Sequence, residues 1–477
     1  MNEDDRARAA ALLRRTVRRD RLPGVSVRVV DRAGTVYADA FGSRDLAGNR
    51  PASPDTLYGV GSVTKSVTAL ALAQLRAAGM LDFDDPVSTH LDVDLGGDDD
   101  EPVRLGHLLS HTSGLPSLGT SEALIGRRLR RSTDTIALSS RDDVRAHVED
   151  AVAGGERVAP PGERFAYSNE GYVLLGDVIE ANTGREYGRY VAEHVLEPLG
   201  LDRATFDDAA FAMDDDHATL YLHEDDDTVA ASVPTRELSR PAGGLFASVD
   251  HLGRYARLFL NEGTLDGREV VSPATAAALT EGRVDTPSGP YGYGWRTREA
   301  CGHDLVGHSG SIAVSSAYVG FSREADLGVA VAANSAPDYP LVRLGEAVFA
   351  CALGADPAEA VPFVERRRRF DRLTGEYAAY RGLQRAYVAR DGGGLRLELA
   401  GPLGGESLPL VGTDDPHTFH TPNEAGESVP VEFRVGDDAD GRDGRDDPSG
   451  GGRGPRVDLL YDRWHLHKVA DERAGRE

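Results

Sequence analysis

Gly61-Ser62-Val63-Thr64-Lys65 opens a run to Leu81 in which almost every residue is apolar or small, interrupted mainly by Gln74 and Arg76. Such a run reads as a central helix, buried on most sides. Residues three apart share a helical face, so the amine of Lys65 falls beside the hydroxyl of Ser62. A serine at a helix start also keeps a backbone N–H that the helix does not pair. One turn can therefore supply a nucleophile, a base and a donor for a developing oxyanion.

Composition sharpens this reading. Of the 53 lysines and arginines only Lys65 and Lys468 are lysine. One of the two thus sits in an apolar helix, where a solvated charge has no purpose. Arginine stays protonated in proteins, whereas a lysine near 10.4 can be lowered by burial to about 7–8, where it accepts a proton. The purely structural alternative is an ammonium that caps carbonyls or pairs with a carboxylate.

Two further elements carry usable groups. Phe165-Ala166-Tyr167-Ser168-Asn169 precedes a helical pattern from Tyr172 to Asn182 that Thr183-Gly184 closes. Tyr167 offers a phenol that can relay protons, and Asn169 an amide that can bond a substrate amide. An N-capping asparagine and a packed tyrosine are the plain alternative. Gly307-His308-Ser309-Gly310-Ser311 ends a strand-like segment whose small residues allow close backbone approach. There the N–H of Ser311 can join that of Ser62 around an oxyanion, a contact whose loss costs about 2.7–4 kcal/mol. A tight turn with an incidental His308 is the alternative.

Around these elements the chain reads as two domains. A charged helix, Asp4 to Arg19, precedes a hairpin of Val25–Val30 and Val36–Ala40 turned at Asp31-Arg32-Ala33-Gly34. A helical middle section includes Arg141 to Ala153. Strand signals return at 304–308, 316–321 and 327–332, followed by a helical segment from Tyr339 to Ala352. This predicts an α/β (α+β) catalytic domain over 1–361. Glu365-Arg366-Arg367-Arg368-Arg369 reads as part of a linker over 362–370. Beyond it, over 371–470, short strands separated by Gly, Pro and Asp predict an all-β barrel or sandwich. The tract 436–455 is too polar to order itself and reads as a disordered loop.

The chain has 477 residues and a formal net charge of −25, which disfavours binding to nucleic-acid phosphates. No run approaches the ~20 apolar residues of a membrane span, so no membrane partner is expected. Acidic, lysine-poor composition suits concentrated salt, where the screening length falls to about 3 Å at 1 M, and a halophilic source is expected. Cys301 and Cys351 form neither a disulfide framework nor a metal pair. With no export signal, a cytoplasmic location is the default. No His-Glu-x-x-His spacing occurs, so neither a catalytic metal nor a cofactor is expected. His465 and His467 read as surface residues alternating on a strand, and the Asp runs 98–100, 214–216 and 225–227 as solvated loops.

In this order the three elements resemble the serine β-lactamases, penicillin-binding proteins and related esterases and D-aminopeptidases. The likeness runs through Leu57–Lys65, Leu81-Asp82-Phe83-Asp84-Asp85-Pro86-Val87, His107-Leu108-Leu109-Ser110-His111-Thr112-Ser113-Gly114-Leu115-Pro116 and Pro241–Ser248, covering roughly residues 20–350. It implies a β-lactamase/transpeptidase-like antiparallel sheet flanked by helices, with a helical subdomain. It also implies Ser62 as nucleophile, Lys65 as base, Tyr167 as proton relay, and Asn169, His308, Gly310 and Ser311 as substrate ligands. His308 stands where β-lactamases usually carry the lysine of a Lys-Thr-Gly motif, as in the esterase and peptidase branch. The terminal domain resembles the lipocalin-like barrels of some relatives. The expected activity is acyl transfer through an acyl-enzyme on a small ester, amide or peptide. The alternative is a penicillin-binding or scaffold protein of the same fold that does not turn over. Oligomeric state stays open.

Overall fold

The computed structural model describes residues 1–96, 101–224, 227–233, 237–401, 404–423, 425–436 and 456–471. The chain divides into two compact units, Met1–Val361 and Pro362–Glu477.

The first unit opens with helix α1 (Glu3–Arg19), capped by Asn2 accepting from Asp5 N, and strands β1 (Gly24–Val30), β2 (Thr35–Asp45) and β3 (Arg50–Pro51). The carboxylate of Asp31 takes the N–H groups of Ala33 and Gly34, which fixes the turn between β1 and β2. The helical section contains α2 (Thr64–Ala77), the helix Arg141–Ala153, α3 (Asn169–Thr183) and α4 (Val249–Leu260). Strands β4 (Arg296–Ala300), β5 (His303–Ser311), β6 (Ser316–Ser322) and β7 (Leu327–Ala333) lead to α5 (Val342–Ala352).

These strands form one seven-stranded antiparallel sheet in the order β4-β5-β6-β7-β1-β2-β3. Val25 pairs with Ala333 and Val29 with Val329, so the N-terminal hairpin completes a sheet begun by strands from the far end of the unit. This is the antiparallel sheet with flanking helices that the family resemblance implies. The core joins α2 (Val67, Leu70, Leu72), α4 (Leu252, Phe259) and the sheet (Val319, Phe321, Ala330).

Helix boundaries differ from expectation where local chemistry intervenes. Helix α2 stops at Ala77 rather than running to Leu81, because Gly79 turns left-handed (φ +71°) and Met80 N bonds back to Leu75 O. Helix α3 starts at Asn169, ahead of Tyr172, because Ser168 is the cap and accepts from Gly171 N. At the far end Gly184 provides the expected left-handed cap.

The second unit begins with helix α6 (Pro362–Leu373), which corrects the expectation of a linker over 362–370. Apolar anchors explain the helix: Phe370 and Leu373 are buried, while Arg367 and Arg369 lay their guanidinium groups over Phe363 and Phe370. Eight strands follow: β8 (Gly375–Ala378), β9 (Arg385–Asp391), β10 (Gly394–Gly401), β11 (Gly404–Gly412), β12 (Thr418–Pro422), β13 (Ser428–Val435), β14 (Val457–Tyr461) and β15 (Trp464–Ala470). Each pairs with the next and β8 with β15, closing a barrel around Tyr377, Val388, Leu397, Val431, Phe433, Leu459 and Leu466. The tract expected to be disordered over 436–455 lies, from 437 onward, outside the described residues.

Candidate active site

Ser62 sits in a 3-10 turn, Gly61–Val63, that runs straight into α2. Thr64 Oγ1 donates to Gly61 O at 2.7 Å and accepts from Leu245 N, which pins the turn. The segment Pro241–Gly244 passes beneath α2. Gly176 of α3 makes this possible, since a Cβ there would stand 2.2 Å from Pro241 Cγ. The close approach brings the carbonyl of Ala242 to the amine of Lys65.

Lys65 is fully buried. Its Nζ donates to Ser62 Oγ at 3.1 Å, to Asn169 Oδ1 at 2.7 Å and to Ala242 O at 2.8 Å. The amine also lies over the rings of Tyr167 and Tyr172. Burial lowers its pKa to about 7, against a smaller opposing pull from Glu170 and Glu122. Neither carboxylate makes a direct ion pair with the amine. Glu170 is spent on Thr120 and Ser168, and Glu122 only reaches Asn169 Nδ2 at 3.5 Å.

Tyr167 lines the same cleft as Ser62, with its ring beneath the Lys65 amine. Burial raises its phenol above the ordinary tyrosine value, with the nearby Ser62 hydroxyl opposing the shift. At neutral pH the amine can be unprotonated while the phenol keeps its proton. The site therefore holds one poised acceptor and one donor around a single hydroxyl.

The tip of β5 closes the arrangement. A Cβ on Gly61 (φ +54°) would fall 2.6 Å from Ser311 N. The backbone of Gly310-Ser311 is thus pressed against the turn that carries Ser62, and the structure brings Ser62, Lys65, Tyr167, Asn169, Gly310 and Ser311 together.

His308 is also at the site, but its ring is already committed. Nδ1 donates to Ser309 O (2.7 Å), so Nε2 accepts from Tyr291 OH (3.0 Å). Burial, then the nearby charge of Lys65, lowers its pKa to about 3. A neutral, doubly bonded imidazole has no charge to offer a carboxylate.

Charge comes instead from Arg296 and Arg298, which the sequence reading did not single out. A cleft of roughly 480 Å³ is lined by Ser62, Tyr167, both arginines, Ser311 and the segment Pro337–Leu341. Arg296 stacks over Phe165 and Tyr291, which hold its planar group in place. His111 was likewise missed, although it lies inside the quoted His107–Pro116 segment. Its ring is buried 4.2 Å from that of Tyr167, Nδ1 accepts from Ser168 N, and Nε2 has no hydrogen-bond partner.

The Beta-lactamase family model matches residues 9–349. The chain belongs to the beta-lactamase family. A second model, the Pab87 octamerisation domain, matches residues 357–467. Among solved structures, the octameric penicillin-binding protein homologue from Pyrococcus abyssi superposes with TM-score 0.84 at 31% identity, covering 97% of this chain and 99% of that one. A D-stereospecific amidohydrolase from Streptomyces sp. superposes with TM-score 0.59 at 27% identity, over 72% of this chain and 98% of its own. Protein flp of Staphylococcus aureus (strain MW2) is 27% identical over 343 residues, 71% of this chain. This member of the family spans 65% of the length of flp. No helix among the described residues is long and apolar enough to cross a membrane.

Proposed function

We propose that the protein is a serine hydrolase that works through an acyl-enzyme on Ser62. The observation that carries this reading is a fully buried amine, with a pKa lowered to about 7, whose nitrogen lies 3.1 Å from the Ser62 hydroxyl. In the first step Lys65 takes the hydroxyl proton as Ser62 Oγ bonds to the substrate carbonyl carbon. The oxyanion develops toward the N–H groups of Ser62 and Ser311. Collapse breaks the bond to the leaving group, which departs with a proton passed through Tyr167 from Lys65. Water then adds to the acyl carbonyl, its proton returns through the same groups, and Ser62 is released.

Asn169 holds the Lys65 amine toward the hydroxyl and presents its amide to the substrate. The positive wall of Arg296 and Arg298 favours an ester or amide that carries a carboxylate, and the amidohydrolase neighbour supports an amide. The octameric neighbour and the octamerisation-domain match support assembly through the barrel.

A fluorophosphonate probe should label the native protein and leave Ser62→Ala unlabelled; equal labelling of both rejects the assignment. Turnover of p-nitrophenyl esters supports hydrolysis, whereas a persistent acyl adduct in the intact mass favours a binding protein of the same fold.

A further inference from the structure

The outer wall of the barrel carries a group of side chains that the proposed hydrolysis does not use. Inward residues alternate with outward ones along β14 and β15: Val457, Leu459 and Leu466 are buried, which turns Asp458, His465 and His467 outward. Register then gathers them. Asp458 pairs directly with His467, and His465 pairs with Leu460, one step along the same face. His467 Nδ1 lies 2.8 Å from Asp458 Oδ1, and His465 Nε2 lies 3.2 Å from Asp458 Oδ2. One nitrogen or oxygen from each of the three lies within 4.8 Å of the others, the one such group among the described residues.

We infer that Asp458, His465 and His467 bind one divalent transition-metal ion of the zinc type per chain. Two imidazoles and one carboxylate are a donor set that suits zinc, with a fourth position left to water. Zinc bonds of about 2.0–2.1 Å at tetrahedral angles place ligand atoms about 3.4 Å apart, near the two histidine–carboxylate distances here and inside the 4.8 Å that bounds all three donors. Small rotations of exposed side chains then complete the geometry.

The neighbouring charges define the competition. Arg456 donates to Asp458 Oδ1 at 3.2 Å and comes within 3.3 Å of His467 Nδ1. Its side chain is 71% exposed, so it can swing into solvent when a cation enters. On the other flank Arg434 stands opposite Asp458 but is engaged by Glu432.

The test is equilibrium dialysis of the full chain against zinc chloride, comparing the native protein with the double variant His465→Asn/His467→Asn. Asparagine keeps the outer face polar, and circular dichroism with ester hydrolysis verifies that the variant is folded. The native protein should bind one more equivalent of zinc than the variant. Asp458→Asn should weaken that equivalent beyond the 10–100-fold that loss of a partner behind the ligands typically costs. Arg456→Ala should tighten it several-fold. Cobalt(II) should give the visible absorption of a four-coordinate site in the native protein alone. Equal zinc stoichiometry in native protein and double variant, or no zinc bound by the native protein, overturns the proposal whether or not Ser62 is acylated.

Discussion

A methyl group on Gly310 would stand 2.4 Å from the backbone nitrogen of Ser62 and 2.1 Å from the carbonyl oxygen of Val60. The end of β5 and the turn bearing the hydroxyl are therefore in backbone contact, with no room for a side chain between them. Both N–H groups proposed for the oxyanion depend on that contact.

Gly310→Ala should accordingly separate the strand from the turn while leaving the rest of the sheet paired. A displacement of this size near reacting atoms typically costs about 100-fold in rate. The expected result is a drop of that order in kcat on p-nitrophenyl esters, larger than the accompanying change in KM. Steady-state kinetics, with circular dichroism to confirm folding, checks it.

The lowered pKa of Lys65 predicts a pH profile. Below about 7 the amine is protonated and cannot accept the Ser62 proton; above it the neutral form is available. Acylation should rise with pH and level off above that value, and one unit below it about a tenth of the amine is competent. Lys65→Arg keeps a proton throughout and should lose about 10²–10⁴-fold in acylation rate. Stopped-flow acylation across pH 5–9 reads both effects.

Arg296 predicts substrate preference. Its charge lines the cleft while its plane rests on Phe165 and Tyr291. Arg296→Ala should raise KM for a carboxylate-bearing ester by about tenfold or more, the loss of one charge-assisted hydrogen bond of about 1.5–3 kcal/mol. The matching neutral ester should change little. Comparing kcat/KM for the pair in native and variant protein checks the difference.

Assembly is tested by mass. If the barrel organises this chain as in its octameric neighbour, light scattering of the full-length protein should give about eight times the chain mass of 51.0 kDa. A value near one chain mass would count against that part of the reading.

The reactive end of the site was legible because it is local. Ser62 and Lys65 share one turn, and lysine is so rare here that its use in a buried helix stood out. The second lysine is also specific: Lys468 Nζ donates to Arg372 O, near the end of α6, at 3.0 Å. Tyr167 and Asn169 were readable as functional groups on a loop entering a helix. What escaped was long-range. Arg296 reaches the cleft only because β4 pairs with β5, and nothing in its neighbourhood marks it among so many arginines. The state of His308 depends on Tyr291, seventeen residues away in sequence and bonded to it through space. The run Glu365–Arg369 was misread because charge hides an apolar stripe: Phe370 and Leu373 hold α6 down. The gathering of Asp458 with His465 and His467 follows from strand register, which alternation alone does not reveal.

The closure of the C-terminal strands has a consequence for how this module can change over time. Among the described residues each strand pairs its neighbour and the last returns to the first, so the ladder closes on itself and leaves little free edge for a foreign strand. The surface this module presents is then written largely in the side chains of its exterior. Those alternate positions can drift while the interior ones keep the cylinder intact, so new associations can be acquired by surface substitution without unmaking the barrel.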